Sequence, residues 1–227
     1  MASSSGMEEE RDSMEDYEAL ISTTDVELLK RAWRNEKAAP EILRFEFQLV
    51  SRLREQIELM EDTIHDKSTS STDPLFLSLF QMDFDRTLFL LRSYLRIRIQ
   101  KIEKYMFHIR KTDELWNRLS KEEKEFTEVC IEDLKQHLEE SVLSKLPATY
   151  QSILRQSVTS EKDDMVPEPE LDTFVLCRSK EYLTGIQLED GPVDDRSKLF
   201  EMEPGVLHFI CYKSIKALVE SGKIDLL

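Results

Sequence analysis

Residues 86–106, RTLFLLRSYLRIRIQKIEKYM, carry the reading that decides the fold. Placed at 100° intervals, Phe84, Leu88, Leu91, Leu95, Ile99, Ile102 and Met106 fall on one stripe of a helix running from about Leu75 to Arg110. Leu90, Tyr94, Ile97 and Tyr105 fall on an adjoining stripe. Together the two cover roughly 200° of the circumference, against about 100° for an ordinary surface helix. Such a helix has to be covered on two sides. Its own bundle supplies one cover, and the surplus is met most simply by another polypeptide.

The charges point the same way. Between Arg86 and Lys111 eight Lys or Arg stand against one acid, Glu103, a local +7 that leaves −22 for the rest of a chain of net charge −15. Arg92, Arg96 and Glu103 project to the polar side, but Arg98 and Lys101 fall inside the apolar arc. A cation held out of water without a partner is too costly to keep. Both are therefore expected to pair with Asp or Glu on a neighbouring helix or on another subunit. Leu90, Tyr94, Ile97, Arg98, Lys101 and Tyr105 form the candidate partner interface.

Working toward the N-terminus, Thr24 and Glu27 have the spacing of a capping box, so a first helix opens near Asp25. It runs through Leu28, Leu29, Ala32 and Trp33 and stops before Pro40. Pro40 suits the first turn of a second helix, in which Ile42, Leu49, Val50, Leu53, Ile57, Met60 and Ile64 recur at intervals of three and four. The Ser/Thr run from Lys67 to Thr72 reads as a loop, with Asp73 and Pro74 starting the third helix. Residues 1–23, rich in Ser, Glu and Asp, are expected to be a disordered acidic tail. Within it Met14, Tyr17, Leu20 and Ile21 fall at helical spacing. Either they are an adaptor motif that a groove on a partner receives as a short helix, or they are apolar residues scattered in a tail.

Toward the C-terminus, Ser120 and Glu123 make a second capping box. The fourth helix that it opens has Phe126, Cys130, Leu134 and Leu138 on its apolar stripe, with His137 as a core histidine, and it ends near Pro147. Ser157 to Glu168 holds few apolar residues and marks a boundary. Beyond it Phe174–Cys177 and Val206–Tyr212 are β-prone, Ile215–Val219 is a short helix capped by Gly222, and Ile224–Leu227 is a last strand. The expected fold is mainly α. A helical bundle over 24–154 follows the tail, and a linker over 155–168 joins it to a small β-rich α+β domain over 169–227. About 60 residues make a marginal core, so this last domain leans on a partner, and His208 and Tyr212 join the interface candidates.

Composition narrows the function. With 34% charged residues and only 5 Gly and 7 Pro, long solvated helices are favoured over turn-rich β structure. A net charge of −15 repels phosphates over the whole molecule, so little direct nucleic-acid binding is expected, and any would need the basic third helix. Cys130, Cys177 and Cys211 are far apart and in no C-x-x-C pair, which suggests neither a disulfide framework nor a zinc site. No run of 18 apolar residues occurs and the first ten residues do not resemble a leader, so no membrane role is expected and the chain reads as soluble and intracellular. There is no Gly-rich phosphate loop, no H-E-x-x-H and no G-x-S-x-G, and the four His are widely separated. No catalytic, cofactor-binding or metal residues are expected, and the chain reads as a non-enzyme. The rival is an adaptor that touches DNA through the third helix, where Arg and Lys interleave with Tyr94 and Tyr105. Those tyrosines lie on the arc expected to be buried, which favours a protein partner.

The blocks Ala32-Trp33-x-Asn35-Glu36-Lys37 and Ser93-Tyr94-Leu95-Arg96-x-Arg98 resemble the GINS family, a four-subunit complex of eukaryotic DNA replication. Glu41 and Leu43 after the first helix, and Lys101, Ile102, Glu103 and Lys104 in the third, extend the likeness. Val166, Pro167, Pro169, Leu171, Asp172, Phe174 and Val175 carry it into the C-terminal part, and His208, Ile210, Tyr212, Lys213, Ile215, Leu218, Val219, Ser221 and Gly222 carry it on to the end. The order of domains is similar to that of the Sld-five type. The resemblance implies a nuclear, non-catalytic subunit of a heterotetramer with three other GINS subunits, in which long helices pack across subunit boundaries. It further implies that the tetramer joins the MCM ring and its Cdc partner as the replicative helicase, with no cofactor; the tail before Asp25, the candidate site for a replisome adaptor, lies outside the likeness.

Overall fold

Helix α1 (Asp25–Ala38) starts where Thr24 Oγ1 accepts the backbone N–H of Glu27 at 3.3 Å, satisfying one of the donors that a helix start leaves free. The computed structural model describes residues 24–69, 74–157, 159–186 and 200–227. The acidic tail with Met14, Tyr17, Leu20 and Ile21, and the Asp73 cap, lie outside the described residues. After α1 come α2 (Phe47–Thr69), α3 (Pro74–Lys111), the single turn α4 (Asp113–Trp116) and α5 (Lys121–Ser141). Then follow β1 (Phe174–Ser179), β2 (Leu183–Ile186), β3 (Phe200–Met202), β4 (Leu207–Cys211), α6 (Tyr212–Glu220) and β5 (Ile224–Leu226). The fold class is as expected from the sequence: mainly helical, helices first, with a small antiparallel sheet region last.

Three local expectations are corrected. The second helix starts at Phe47 rather than Pro40, and residues 39–46 are not helical. Their backbone is taken up by long-range partners, since the carbonyls of Glu41, Ile42 and Leu43 accept from Lys101, Arg118 and Arg98, and Phe45 N–H donates to Arg118 O. Nor does α2 break at Lys67, because Ser68 Oγ donates back to the His65 carbonyl at 2.7 Å and the hydroxyl is satisfied within the helix. In α5 the buried line is Glu123, Thr127 and Ile131, and His137 is exposed instead of lying in the core. The cause is Glu123, whose carboxylate has to face Arg98 and so turns the helix.

The chain gathers into two units. In one, residues 24–32 and 48–91, the buried side chains include Leu29, Leu49, Val50, Leu53, Leu90 and Leu91. At its surface Arg52 forks onto Asp25, with Nη2 2.8 Å and Nε 3.1 Å from carboxylate oxygens, and that hydrogen bonding holds the Asp25 carboxyl below its ordinary value.

The other unit is Trp33–Phe47 with Arg92–Leu227. One of its apolar clusters joins Ile42, Ile102, Ile109, Leu115 and Leu119. The second is the interior of the sheet region. Strands run in the order β4-β1-β5, all antiparallel, and β2 pairs with β3 separately. The two-residue period of β1 turns Val175, Cys177 and Ser179 inward and Phe174, Leu176 and Arg178 outward. The inward residues meet Ile210, Tyr212, Ile215, Val219, Ile224 and Leu226. Ala39 belongs to this same cluster, with Ala38 and Leu43 packed against it. The marginal core expected from chain length is thus completed by the segment after α1, within this chain. Burial alone pushes the Cys177 thiol up to about 11, so it behaves as an apolar core group.

Asn35 ties that segment to the sheet, its Oδ1 accepting the Leu226 N–H of β5 at 2.8 Å. Asn35→Ala leaves this amide without its acceptor and should cost about 1–3 kcal/mol, measured as a lower urea midpoint with unchanged slope.

Candidate functional site

The centre of the second unit is Arg98, which has no accessible surface. All five of its N–H donors are used. Nε and Nη2 fork onto Glu123 of α5 at 2.7 and 3.0 Å. Nη1 donates to Glu36 Oε2 of α1 at 2.9 Å and to the Leu43 carbonyl at 2.7 Å, and Nη2 also reaches the Arg118 carbonyl at 3.3 Å. The guanidinium carbon lies 5.2 Å from the Phe45 ring centre and 5.8 Å from that of Tyr94. Glu123 is shared: the same carboxylate closes the capping box by accepting Ser120 N–H at 2.9 Å, while Ser120 Oγ accepts Glu123 N–H at 3.2 Å.

Lys101 extends the network, donating to Glu36 Oε1 and to the Glu41 carbonyl, both at 2.8 Å. Glu41 in turn accepts from Tyr212 Oη at 3.1 Å and from Lys216 Nζ at 3.0 Å, with Arg118 Nη1 3.3 Å away. Arg118 also bonds the Ile42 carbonyl, Glu114 and Glu220. Every buried charge in the network therefore has a counter-charge and hydrogen bonds, the condition under which burial is tolerable. Burial by itself would lower the Arg98 pKa, but hydrogen bonding to Glu123 and the charge of Glu36 outweigh it and the net shift is upward. For Lys101 burial prevails over Glu36 and the pKa is lowered. Burial raises Tyr94 and Tyr212 well above the ordinary phenol value, and Glu41 reinforces the shift at Tyr212.

The carboxylates required by Arg98 and Lys101 are thus supplied by neighbouring elements of the same chain. That corrects part of the interface expected from sequence. Leu90, Tyr94, Arg98 and Tyr212 are buried within the chain itself, so the part of the arc they occupy faces inward. Ile97, Lys101, Tyr105 and His208 remain partly exposed, His208 standing edge-on to Phe200. On the stripe through Leu88, Leu91, Leu95, Ile99 and Ile102, Leu91 and Ile102 are buried, Leu88 and Leu95 are partly covered, and Ile99 is exposed. Among residues that sequence reasoning missed, Glu36 and Glu41 stand in the Asn35–Glu41 block and Glu123 in the capping box. Arg118 carried no local signal.

Further up α3, Leu75, Leu79, Met82 and Phe89 are each more than half exposed. Their spacing of four, three and seven puts them on one seam. The outer face of the sheet is also apolar, with Phe174, Leu176, Leu207 and Phe209 exposed and the rings of Phe174 and Phe209 stacked at 5.4 Å. No group of three or more His, Cys, Asp or Glu able to hold a metal occurs among the described residues.

Helices built around one buried ionic hub, with apolar seams exposed, define a class of fold: a helical bundle followed by a small sheet region. The comparisons are specific. A family of GINS complex protein helical bundle domains matches residues 53–142, and one described as the DNA replication complex GINS protein SLD5 C-terminus matches residues 169–227. The DNA replication complex GINS protein SLD5 of Arabidopsis thaliana is 58% identical over 93% of this chain and 95% of its own length. The proteins of the same name from Rattus norvegicus and Xenopus laevis are 32% and 33% identical, covering 96% and 95% of this chain and the same shares of their own lengths. The chain belongs to the SLD5 family of GINS proteins of DNA replication.

Glu123→Ala removes the partner of a fully buried arginine and half of a capping box, and should cost about 3–5 kcal/mol in urea denaturation. Glu125→Ala, on the exposed side of α5, should cost under about 0.5 kcal/mol. The raised phenols fix the sign of an alkaline effect. The stabilisation linked to Tyr94 and Tyr212 is complete below about pH 10 and is lost as pH climbs through their higher folded values. Unfolding free energy should accordingly fall from about pH 10 upward, and the fall should be shallower in Tyr94→Phe.

Proposed function

We propose that this chain is a non-catalytic structural subunit of the GINS heterotetramer, and that with three other GINS subunits it supports assembly and activity of the replicative DNA helicase at initiation and fork progression. The observation that carries the reading is the open seam of Leu75, Leu79, Met82 and Phe89 on α3. A row of large apolar side chains at seven-residue spacing is unfavourable in water and suits knobs-into-holes packing by a helix of another subunit. The outer sheet face around Phe174 and Phe209 is a second surface of the same character. Ile97, Tyr105 and His208 belong to the proposed interfaces as their partly open members. Membership of a family whose members are named for a replication complex supports the assembly role.

The finer expectations follow from the same reading. The complex acts in the nucleus and joins the MCM ring and its Cdc partner. The acidic tail recruits a replisome adaptor through Met14, Tyr17, Leu20 and Ile21. The chain is organised as a helical bundle domain over 24–154, a linker over 155–168 and a small β-rich domain over 169–227.

Co-expression with the three other GINS subunits, followed by size-exclusion chromatography with mass measurement, should return one stable heterotetramer. Leu79→Glu with Met82→Glu should abolish co-elution while leaving helical circular dichroism unchanged. A wild-type chain that stays a folded 26.7 kDa monomer beside its candidate partners would refute the proposal.

A further inference from the structure

Arg34 and Lys37 on α1 and Arg92 and Arg96 on α3 are exposed, and none of the four takes part in an ion pair among the described residues. The two helices are fixed side by side in the second unit. Trp33 Nε1–H donates to Ser93 Oγ at 3.0 Å, and Lys101 Nζ reaches Glu36 Oε1 at 2.8 Å. These contacts set the rotation of α1. Glu36 turns inward to Arg98 and Lys101, so Arg34 and Lys37 fall on its other shoulder, the one on which Trp33 meets Ser93. Lys37 Nζ is 5.3 Å from the Trp33 ring centre. On α3, Arg96 is the i+3 neighbour of Ser93 and the i+4 neighbour of Arg92, so both guanidiniums flank the same junction.

Nothing on either helix neutralises this flank. Glu36, the one acid between Trp33 and Ala39, is consumed by Arg98 and Lys101, and α3 has no acid from Arg92 to Ile102. Like charges at i and i+4 destabilise a helix when nothing answers them. In a chain of net charge −15 carboxylates are abundant, yet among the described residues none is spent here.

We infer that this flank is a docking surface for a carboxylate-rich segment of a partner protein. Guanidinium forks match carboxylates in pairs, and two arginines one turn apart beside a lysine and a third arginine suit a short acidic stretch. A nucleic-acid strand fits less well. Its charge continues beyond any small patch, here onto the strongly acidic remainder of the chain. It also lacks rings on which to stack bases, because Tyr94 is buried and the Trp33 ring lies beneath Lys37.

The test uses the full chain and two labelled probes of equal charge, an Asp/Glu-rich peptide of about 12 residues and a single-stranded oligonucleotide, followed by fluorescence anisotropy at roughly 50 and 150 mM salt. The peptide should bind more tightly than the oligonucleotide. Arg92→Glu with Arg96→Glu should weaken it by about tenfold or more, and Arg92→Lys with Arg96→Lys should retain most of the affinity. Circular dichroism should be unchanged, since both side chains are exposed. Arg34→Glu with Lys37→Glu is the independent second variant and should weaken the peptide in the same direction. Peptide binding indifferent to both charge reversals would overturn the inference. So would tighter binding of the oligonucleotide that the same reversals abolish, which would make the flank a nucleic-acid surface.

Discussion

The second unit depends on one buried cation. Arg98 is withdrawn from water completely, and a guanidinium there is affordable only if every donor is met and its charge is balanced. Meeting those demands draws in Glu36 from α1, Glu123 from α5 and the carbonyls of Leu43 and Arg118. Each of these contacts constrains a different piece of chain. Glu123 sets the rotation of α5, Glu36 the rotation of α1, and Leu43 the non-helical course of residues 39–46. The same segment, through Asn35, Ala39 and Glu41, then completes the sheet core and holds α6. Polar satisfaction here specifies geometry more than it adds stability, because the directions of five N–H donors cannot all be met in a second arrangement.

Turning the Arg98 side of α3 inward has a consequence for its other flanks. A helix with an apolar arc of this width cannot bury all of it against its own chain. Once Tyr94, Arg98 and Ile102 take the inner position, Ile99 is left facing out. In the first unit the row Leu75, Leu79, Met82 and Phe89 is likewise open. The sheet region has the same character, its inner face complete and its outer face apolar. A chain with a finished interior and unfinished surfaces is what membership in a multi-subunit family calls for.

Much of the architecture was legible in the residues. The Thr24 cap and the capping box at Ser120, the Pro74 start, the strands at Phe174 and Ile224 and the Gly222 stop, where φ is +77°, are all local signals read from a few neighbours. The need of Arg98 and Lys101 for carboxylates was legible too, since it follows from an apolar arc that contains a charge. Failures came where a distant residue overrode a local preference. Pro40 would have begun a helix, but the backbone that follows it serves Arg98, Lys101 and Arg118. His137 would have lain in the core, but Glu123 could not leave Arg98, and the buried line of α5 runs through Glu123, Thr127 and Ile131.

The sequence by itself determined that there is a long, over-wide apolar helix carrying cations that need partners, that a β-rich piece follows, and which family the chain resembles, because periodicity, capping and motif spacing are written in consecutive residues. Only the tertiary structure decided which side of that helix is the inside. That choice is made by carboxylates 62 and 25 residues away in the chain, whose pairing with one guanidinium depends on where separate elements meet in space.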